Sequence, residues 1–418
     1  MKKIVIIGGG AAGLMAAYSA SQELAGTQCS ITVVEKNSRP ARKVMITGKG
    51  RCNVTNNCDT NTLISNVTKN GKFLYSAFNN FNSQDTMNFF ENHGVALKTE
   101  RGNRVFPVSD KAVDIVDALV KAVQKNCSII EASAQAIISP NGAVTAVKLS
   151  DGRILDADCV ILATGGMSYP LTGSTGDGYK MAKTLGHTVT ELNPSLVGLE
   201  CHEGFCTRLA GLSLKNVTLS LFENGKKKPL YKELGEMLFT HTGISGPLTL
   251  SASAHIRYMN KKQYFAEIDL KPALDEMQLD KRLLRDFEEN KNKDFSNSLD
   301  KLLPKSIISV IINMSGISPD TKVNQISREE RQSLIRAIKH FRVNITGFRP
   351  IEEAIITSGG ISVKEIDPAT MMSKFISGLF FAGELIDVDA YTGGFNLQIA
   401  FSTGVLAGKS AAKYRKEV

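Results

Sequence analysis

The chain begins with an apolar run, Lys3-Ile4-Val5-Ile6-Ile7, that gives way to Gly8-Gly9-Gly10-Ala11-Ala12-Gly13 and then to an apolar helical segment. A second run, Ile31-Thr32-Val33-Val34, ends on Glu35. Short apolar runs bounded by glycine or an acid predict strands buried on both faces, here joined by a crossover helix. Asn141-Gly142 and Asp151-Gly152 mark hairpin turns in a meander over 128–165, whose last run, Cys159-Val160-Ile161-Leu162-Ala163, predicts a buried strand delivering Thr164-Gly165-Gly166. Leu379-Phe380-Phe381-Ala382 predicts another, followed by Gly383-Glu384 and a helix from about Asn396 to Lys413.

Between these runs the pattern changes. Residues 191–272 carry hairpin signals, notably Asn224-Gly225 after Thr218-Leu219-Ser220-Leu221-Phe222, whereas 275–345 carry helical periodicity with a capping box, Ser327-x-x-Glu330. The expected fold is α/β: a split Rossmann-like nucleotide-binding domain (1–190 and 355–418) interrupted by a β-barrel-like subdomain (191–274) and by a helical subdomain with its return segment (275–354).

The glycine cluster carries the first chemistry. Gly8 permits the tight turn, Gly10 lets backbone approach a pyrophosphate, and Gly13 lets helix pack on strand, while the first-turn N–H groups, at Ala11 and Ala12, face the phosphates. Glu35 is placed to accept from ribose hydroxyls. Such a fingerprint serves NAD or FAD, and the C-terminal segment favours FAD. A flavin's ribityl chain needs an acceptor at a strand end, a role for which Asp387 is placed. The helix after Thr392-Gly393-Gly394-Phe395-Asn396-Leu397 would direct its N-terminus at the flavin N1 and C2 carbonyl. A second fingerprint is absent from the sequence, so NADH or NADPH would dock transiently, reduce the flavin and leave before substrate enters, giving ping-pong kinetics with parallel initial-velocity lines.

Composition narrows the rest. At 418 residues the chain has room for two or three domains, and 42% hydrophobic content is ordinary for a globular protein. Met1-Lys2-Lys3 and the following apolar run imitate a signal peptide, but the βαβ pattern accounts for the same residues. With no other run of about eighteen apolar residues, the expectation is a cytoplasmic protein without membrane attachment. Seven scattered cysteines without a CxxC, and six histidines that never cluster with them, predict neither a disulfide framework nor a metal site. The net charge of +9 is compatible with an anionic partner such as RNA.

With Arg51-Cys52-Asn53-Val54-Thr55-Asn56, Thr172-Gly173-Ser174-Thr175-Gly176-Asp177-Gly178 and Thr392-Gly393-Gly394-Phe395-Asn396, the chain resembles, over its whole length, the BaiN/RdsA family of FAD-dependent oxidoreductases, also called the aminoacetone oxidase family. The resemblance implies an FAD domain of the glutathione-reductase type interrupted by a β-barrel and a helical insert. The cofactor set expected on this basis is Gly8, Gly10, Ala11, Ala12, Gly13, Glu35, Lys36, Arg42, Lys43, Arg51, Cys52, Asn53, Thr164, Gly165, Gly383, Glu384, Asp387, Gly394, Phe395, Asn396 and Leu397. The chain departs from the family pattern at Ala41, Lys49 and Ala390, where glycine is usual. Thr175-Gly176-Asp177-Gly178 also resembles a motif of fumarate reductase flavoproteins, although Asp177 at a glycine-rich helix start serves equally as a cap.

Activities within that family differ: reduction of a carbon–carbon double bond in bile acids, reduction of uridine in ribosomal RNA, and oxidation of aminoacetone. The leading expectation is reduction of an activated C=C bond by NAD(P)H, with uridine in 23S ribosomal RNA as substrate. The alternatives are a reductase of steroid-like enones, an amine oxidase releasing hydrogen peroxide, and an RNA-binding protein with structural FAD. Double-bond reduction needs a proton donor beside the flavin, and the candidates are Cys52, Tyr391 and His241, with Arg51 as electrostatic anchor. For RNA, a helix over 328–342 would place Arg328, Arg331, Arg336, Lys339 and Arg342 within an arc of about 140° beside Leu334, Ala337, Ile338 and Phe341. Residues 191–350 hold 24 lysines and arginines against 19 acids, a net of +5.

Overall fold

The N-terminal apolar run forms strand Lys2–Ile7 at the centre of a five-stranded sheet. The strand order is Leu379–Phe381, Cys159–Leu162, Lys2–Ile7, Cys29–Glu35, Ser128–Glu131, and every pairing is parallel. Ile4, Ile6, Val33, Val160 and Ile161 are buried, because helices on both faces of such a sheet leave no polar side. The computed structural model describes residues 1–415, so 416–418, the end of the segment expected to complete the nucleotide domain, lie outside the described residues. By contacts the chain divides into one unit comprising Met1–Ser195 and the chain from Pro350 on, and a second comprising Leu196–Arg349.

In the first unit, helix Ala11–Glu23 packs against the C-terminal helix Phe395–Lys413 with almost no side chain between them. A Cβ on Gly404 would stand 2.3 Å from the Ala12 carbonyl oxygen, and one on Gly408 would stand 2.3 Å from that of Ala16. The two helices run in the same direction there, so both N-termini open at the carboxyl ends of the parallel strands, where ligands of open α/β sheets bind.

In the second unit, six strands close a barrel: Leu199–Cys201, Ser213–Glu223, Tyr231–Thr240, Gly243–Ser245, Tyr264–Asp269 and Phe341–Phe348. Helices Glu276–Glu289, Lys305–Ser315 and Arg328–Lys339 are inserted between the last two strands. The helix expected over 328–342 therefore ends earlier. His340 leaves helical geometry, and Phe341 and Arg342 belong to the closing strand, whose side chains alternate between core and solvent. Two of the expected basic residues are also not free. Lys339 bonds Asp269 at 2.6 Å and the Leu274 carbonyl at 2.6 Å, and Arg331 bonds Asp280 at 2.6 Å. Arg328, Arg336 and Arg342 are exposed.

Candidate cofactor cleft

Both helix N-termini open on one cleft of about 1420 Å³ in the first unit. Its walls include Gly8, Gly10, Ala11, Ala12, Glu35, Lys36, Arg42, Lys43, Thr164, Gly165, Gly383, Glu384, Asn396 and Leu397. The glycines divide the work. Gly8 has φ +106°, and a Cβ there would meet the Ala163 oxygen at 2.5 Å. A Cβ on Gly13 would lie 1.9 Å from the Gly8 oxygen, whereas one on Gly10 would meet nothing within 4 Å and project into open space. Helix Ala11–Glu23 has no side-chain cap and no acid in its first turn, and helix Phe395–Lys413 has neither as well. Two sets of unsatisfied N–H donors thus face one cavity, which fits an elongated anionic ligand that carries an acceptor at its far end.

Glu35 is held in place before any ligand arrives. Its Oε2 accepts from the Gly9 N–H at 2.7 Å and its Oε1 from the Asn37 N–H at 2.8 Å and side-chain amide at 2.7 Å. Lys36 pairs with Asp177 at 2.8 Å. Burial alone would raise the Asp177 pKa, but hydrogen bonds from Lys36 and Thr175 outweigh it and hold the carboxyl below its usual range. Deeper in the cleft Lys43 Nζ donates to Glu384 Oε2 and to Ser168 Oγ, each at 2.6 Å, and Glu384 Oε1 accepts from the Thr357 N–H at 2.9 Å. Thr164 Oγ1, on the wall, is buried without a hydrogen-bond partner. The uncapped N-termini, the open side of Gly10 and this orphaned hydroxyl fit FAD, which Glu35, Gly10, Ala11, Ala12, Glu384, Asn396 and Leu397 would hold.

Seven residues expected to touch the cofactor do not line the cleft. Asp387 is buried and turned to Lys69, at 2.7 Å, with its carbonyl taken by Asn70, so Glu384 stands at the strand end in its stead. Gly13 is internal to the helix–strand contact. Asn53, with its amide oriented to satisfy its neighbours, accepts from the Gly394 N–H at 3.0 Å and donates to the Thr55 carbonyl. A Cβ on Gly394 would meet the Thr55 carbonyl carbon at 2.3 Å, Asn56 donates to the Gly393 carbonyl at 3.1 Å, and Phe395 is buried. The Arg51–Asn56 and Thr392–Asn396 motifs thus bind each other, and the product is a fixed start for the C-terminal helix.

The proton-donor candidates fare differently from their expected role. Cys52 is fully buried, and burial pushes its thiol up to about 12, a poor match to proton transfer at neutral pH. Arg51 is engaged by Glu100 and by Asp110, at 2.6 Å, and lies 4.2 Å over the Phe106 ring. Tyr391 is half-buried off the cleft wall, and His241 is exposed on the turn between barrel strands Tyr231–Thr240 and Gly243–Ser245. Pairing explains Arg51: a guanidinium between two carboxylates acts as a clamp on its loop.

That loop is strained where the chain departs from its family pattern. Ala41 (φ +55°) and Lys49 (φ +59°) both adopt left-handed backbone, and only glycine does so without steric cost. Ala390 is ordinary strand. Ala41→Gly and Lys49→Gly are expected to raise unfolding stability by up to about 1 kcal/mol each, read from chemical denaturation midpoints. A loss of stability at either position would show that the side chain contributes more than the backbone costs.

Sequence reasoning missed several walls: Asn37, Thr47, Ala132–Ala134, Ser174, Ile355 and Ile356. Ala132 follows strand Ser128–Glu131, so the rule that ligands meet the carboxyl ends of parallel strands would have found it once the edge strand was assigned.

Fold and site together define an FAD-binding Rossmann-type oxidoreductase. The family model described as the HI0933-like protein Rossmann domain matches residues 2–410, and the chain belongs to this family of BaiN/RdsA-type FAD-dependent oxidoreductases. It is 29% identical to the 3-dehydro-bile acid delta(4,6)-reductase of Clostridium scindens over 99% of this chain and 100% of that one. It is 30% identical to the ribosomal RNA dihydrouridine synthase of Escherichia coli K12, covering 96% and 95% of the two chains. Among solved structures, 3-ketosteroid delta1-dehydrogenase from Sterolibacterium denitrificans has the same fold, with TM-score 0.54, 12% identity and coverage of 99% and 100%. Among the described residues no helix is long and apolar enough to cross a membrane, and no group of three or more His, Cys, Asp or Glu is placed to hold a metal.

Proposed function

We propose that this protein reduces an activated carbon–carbon double bond with electrons from NAD(P)H, and that its substrate is uridine in ribosomal RNA. When bound, FAD would supply hydride transfer from the nicotinamide to the electron-poor carbon, and the proton for the neighbouring carbon would come from water, since none of Cys52, Tyr391 and His241 lines the cleft. The chain's part is to orient and to polarise. The N-terminus of helix Phe395–Lys413, fixed by Asn53 and Asn56, would direct positive dipole at a flavin held in the cleft and so favour its reduced, negatively charged form. The Lys43–Glu384 pair fixes the polar wall of the cleft.

The observation that favours RNA lies on the barrel unit. Phe222 and Phe265 stack face to face, with centroids 5.0 Å apart and planes within 10°, and the exposed Arg342 guanidinium lies 3.7 Å over Phe265. Lys226 and Lys262 beside the same strands both pair with Glu223, each at 3.1 Å, while the neighbouring Lys227 and Lys228 are exposed. A cation over stacked rings beside lysines suits an unpaired base and its phosphates.

The test is anaerobic: the flavoprotein is mixed with NADH or NADPH, then with deproteinised ribosomal RNA, while flavin absorbance near roughly 450 nm is followed. Bleaching by nucleotide and recovery with RNA, lost in Arg342→Glu and falling steeply with salt, is the expected result. Recovery with a 3-oxo-Δ4 steroid but not with RNA would assign a small-molecule enone as substrate.

A further inference from the structure

A second concavity, of about 1100 Å³, opens beside the cofactor cleft in the same unit and is not used by the reading above. Its walls include Arg39, Arg42, Ile46, Tyr169, Leu171 and Glu352, and Arg42 together with Thr172 lines both spaces. The short helix Arg42–Ile46 is the partition: Lys43 and Val44 face the cleft, Ile46 faces the second space, and the next residue, Thr47, faces the cleft again.

Three features of this space are costly unless something binds there. Leu171 is 87% exposed and Ile46 is 46% exposed, so two apolar side chains on the walls of one space border water. Tyr169, directly before Pro170, has φ +52°, a left-handed conformation that a bulky residue adopts only under constraint and that gathers at ligand sites. The two arginines are weakly engaged. Arg39 reaches Asp117 only at 3.3 Å across an exposed pair, and Arg42 donates to the neutral Asn37 amide at 3.2 Å. Among the described residues Arg42 has no carboxylate partner.

We propose that this space is the docking site of the adenosine-phosphate half of the nicotinamide nucleotide that reduces the flavin. Arg39 and Arg42 take the phosphates by charge-assisted hydrogen bonds. Tyr169, Ile46 and Leu171 cover the adenine, and Glu352 accepts from a ribose hydroxyl. A chain with one dinucleotide fingerprint then serves two dinucleotides, because the second needs only an anchor beside the cleft from which its nicotinamide enters. The proposal rests on NAD(P)H being the electron donor, and it adds where the donor is held.

Arg39→Ala and Leu171→Ala test it, since neither residue lines the cofactor cleft and both are exposed, so flavin content reports that the fold is kept. Each is expected to raise the apparent Kd for NADH or NADPH in anaerobic rapid-mixing reduction about tenfold, the worth of one charge-assisted hydrogen bond or one apolar contact, with flavin content unchanged. ADP-ribose, which carries the anchoring half without the nicotinamide, is expected to compete with the nucleotide in the wild type and to compete about tenfold less well in Arg39→Ala. Wild-type reduction with unaltered Kd in both variants, or no competition by ADP-ribose, overturns the docking site and leaves the donor reading intact. A wild-type flavin that neither nucleotide reduces overturns the donor reading and the docking site with it.

Discussion

Gly10→Asp is expected to yield a folded protein that has lost its FAD. The substitution has room, because a Cβ at Gly10 meets nothing within 4 Å, and a carboxylate at the uncapped start of helix Ala11–Glu23 stabilises that helix on its own. The same carboxylate stands where the pyrophosphate must lie. Two unit charges about 4 Å apart at an effective dielectric near 20 repel by about 4 kcal/mol, which is roughly a thousand-fold in affinity. Flavin absorbance relative to protein absorbance measures the loss, and a melting temperature at or above that of flavin-stripped wild type shows the fold intact, since bound FAD itself raises the wild-type value. Gly13→Ala is the contrasting variant, since its Cβ would lie 1.9 Å from the Gly8 oxygen and must displace backbone, so it is expected to lose flavin and stability together. A Gly10→Asp protein that purifies with full flavin would show that the phosphates lie elsewhere.

Lys339→Glu is expected to destabilise the barrel-and-helix unit by about 3–5 kcal/mol, although the residue was expected on a solvated basic face. The Lys339 side chain is only 11% exposed, and its ammonium is shared between Asp269 and the carbonyls of Lys271 and Leu274. Glutamate there sets two carboxylates together and leaves two carbonyls without a donor. Urea unfolding followed by far-ultraviolet circular dichroism reads the effect. Arg336→Glu, at an exposed position, is expected to leave the midpoint nearly unchanged, and Arg342→Glu, which gives up its place over Phe265 and sets glutamate opposite Glu267, to cost about 1 kcal/mol, far less than Lys339→Glu, so both report on RNA. A Lys339→Glu protein as stable as the wild type would return that lysine to the solvated face.

The contrast between Lys339 and Arg336 shows where the sequence stops being informative. Helical periodicity assigned both to one polar arc, and within an isolated helix that is correct. Only the neighbouring strand Tyr264–Asp269 and the turn at Lys271–Leu274 decide that one of the two is enclosed. Asp387 and Glu384 are a second instance. Both follow the strand Leu379–Phe381 within six residues, and nothing local distinguishes them; Lys69, more than three hundred residues away in sequence, draws Asp387 off the cleft. The resemblance implies Arg51, Cys52 and Asn53 as cofactor contacts, yet Glu100 and Asp110 engage Arg51, Gly394 engages Asn53, and Cys52 is buried among its neighbours.

By itself the sequence determined what depends on short-range chemistry. Gly8, Gly10 and Gly13 are needed by a tight turn, a phosphate and a close helix whatever surrounds them, and the short apolar runs at 3–7, 159–163 and 379–382, bounded by glycine or acid, suit a sheet covered on both faces. Tertiary structure decided which charges are spent on each other, that Phe341–Phe348 closes a barrel rather than extending a helix, and that a second space lined by Arg39 and Leu171 opens beside the cleft. The physical reason is range: backbone geometry and burial periodicity are set by neighbours a few residues apart, whereas ion pairs and cavities are set by residues that meet only when the chain has folded.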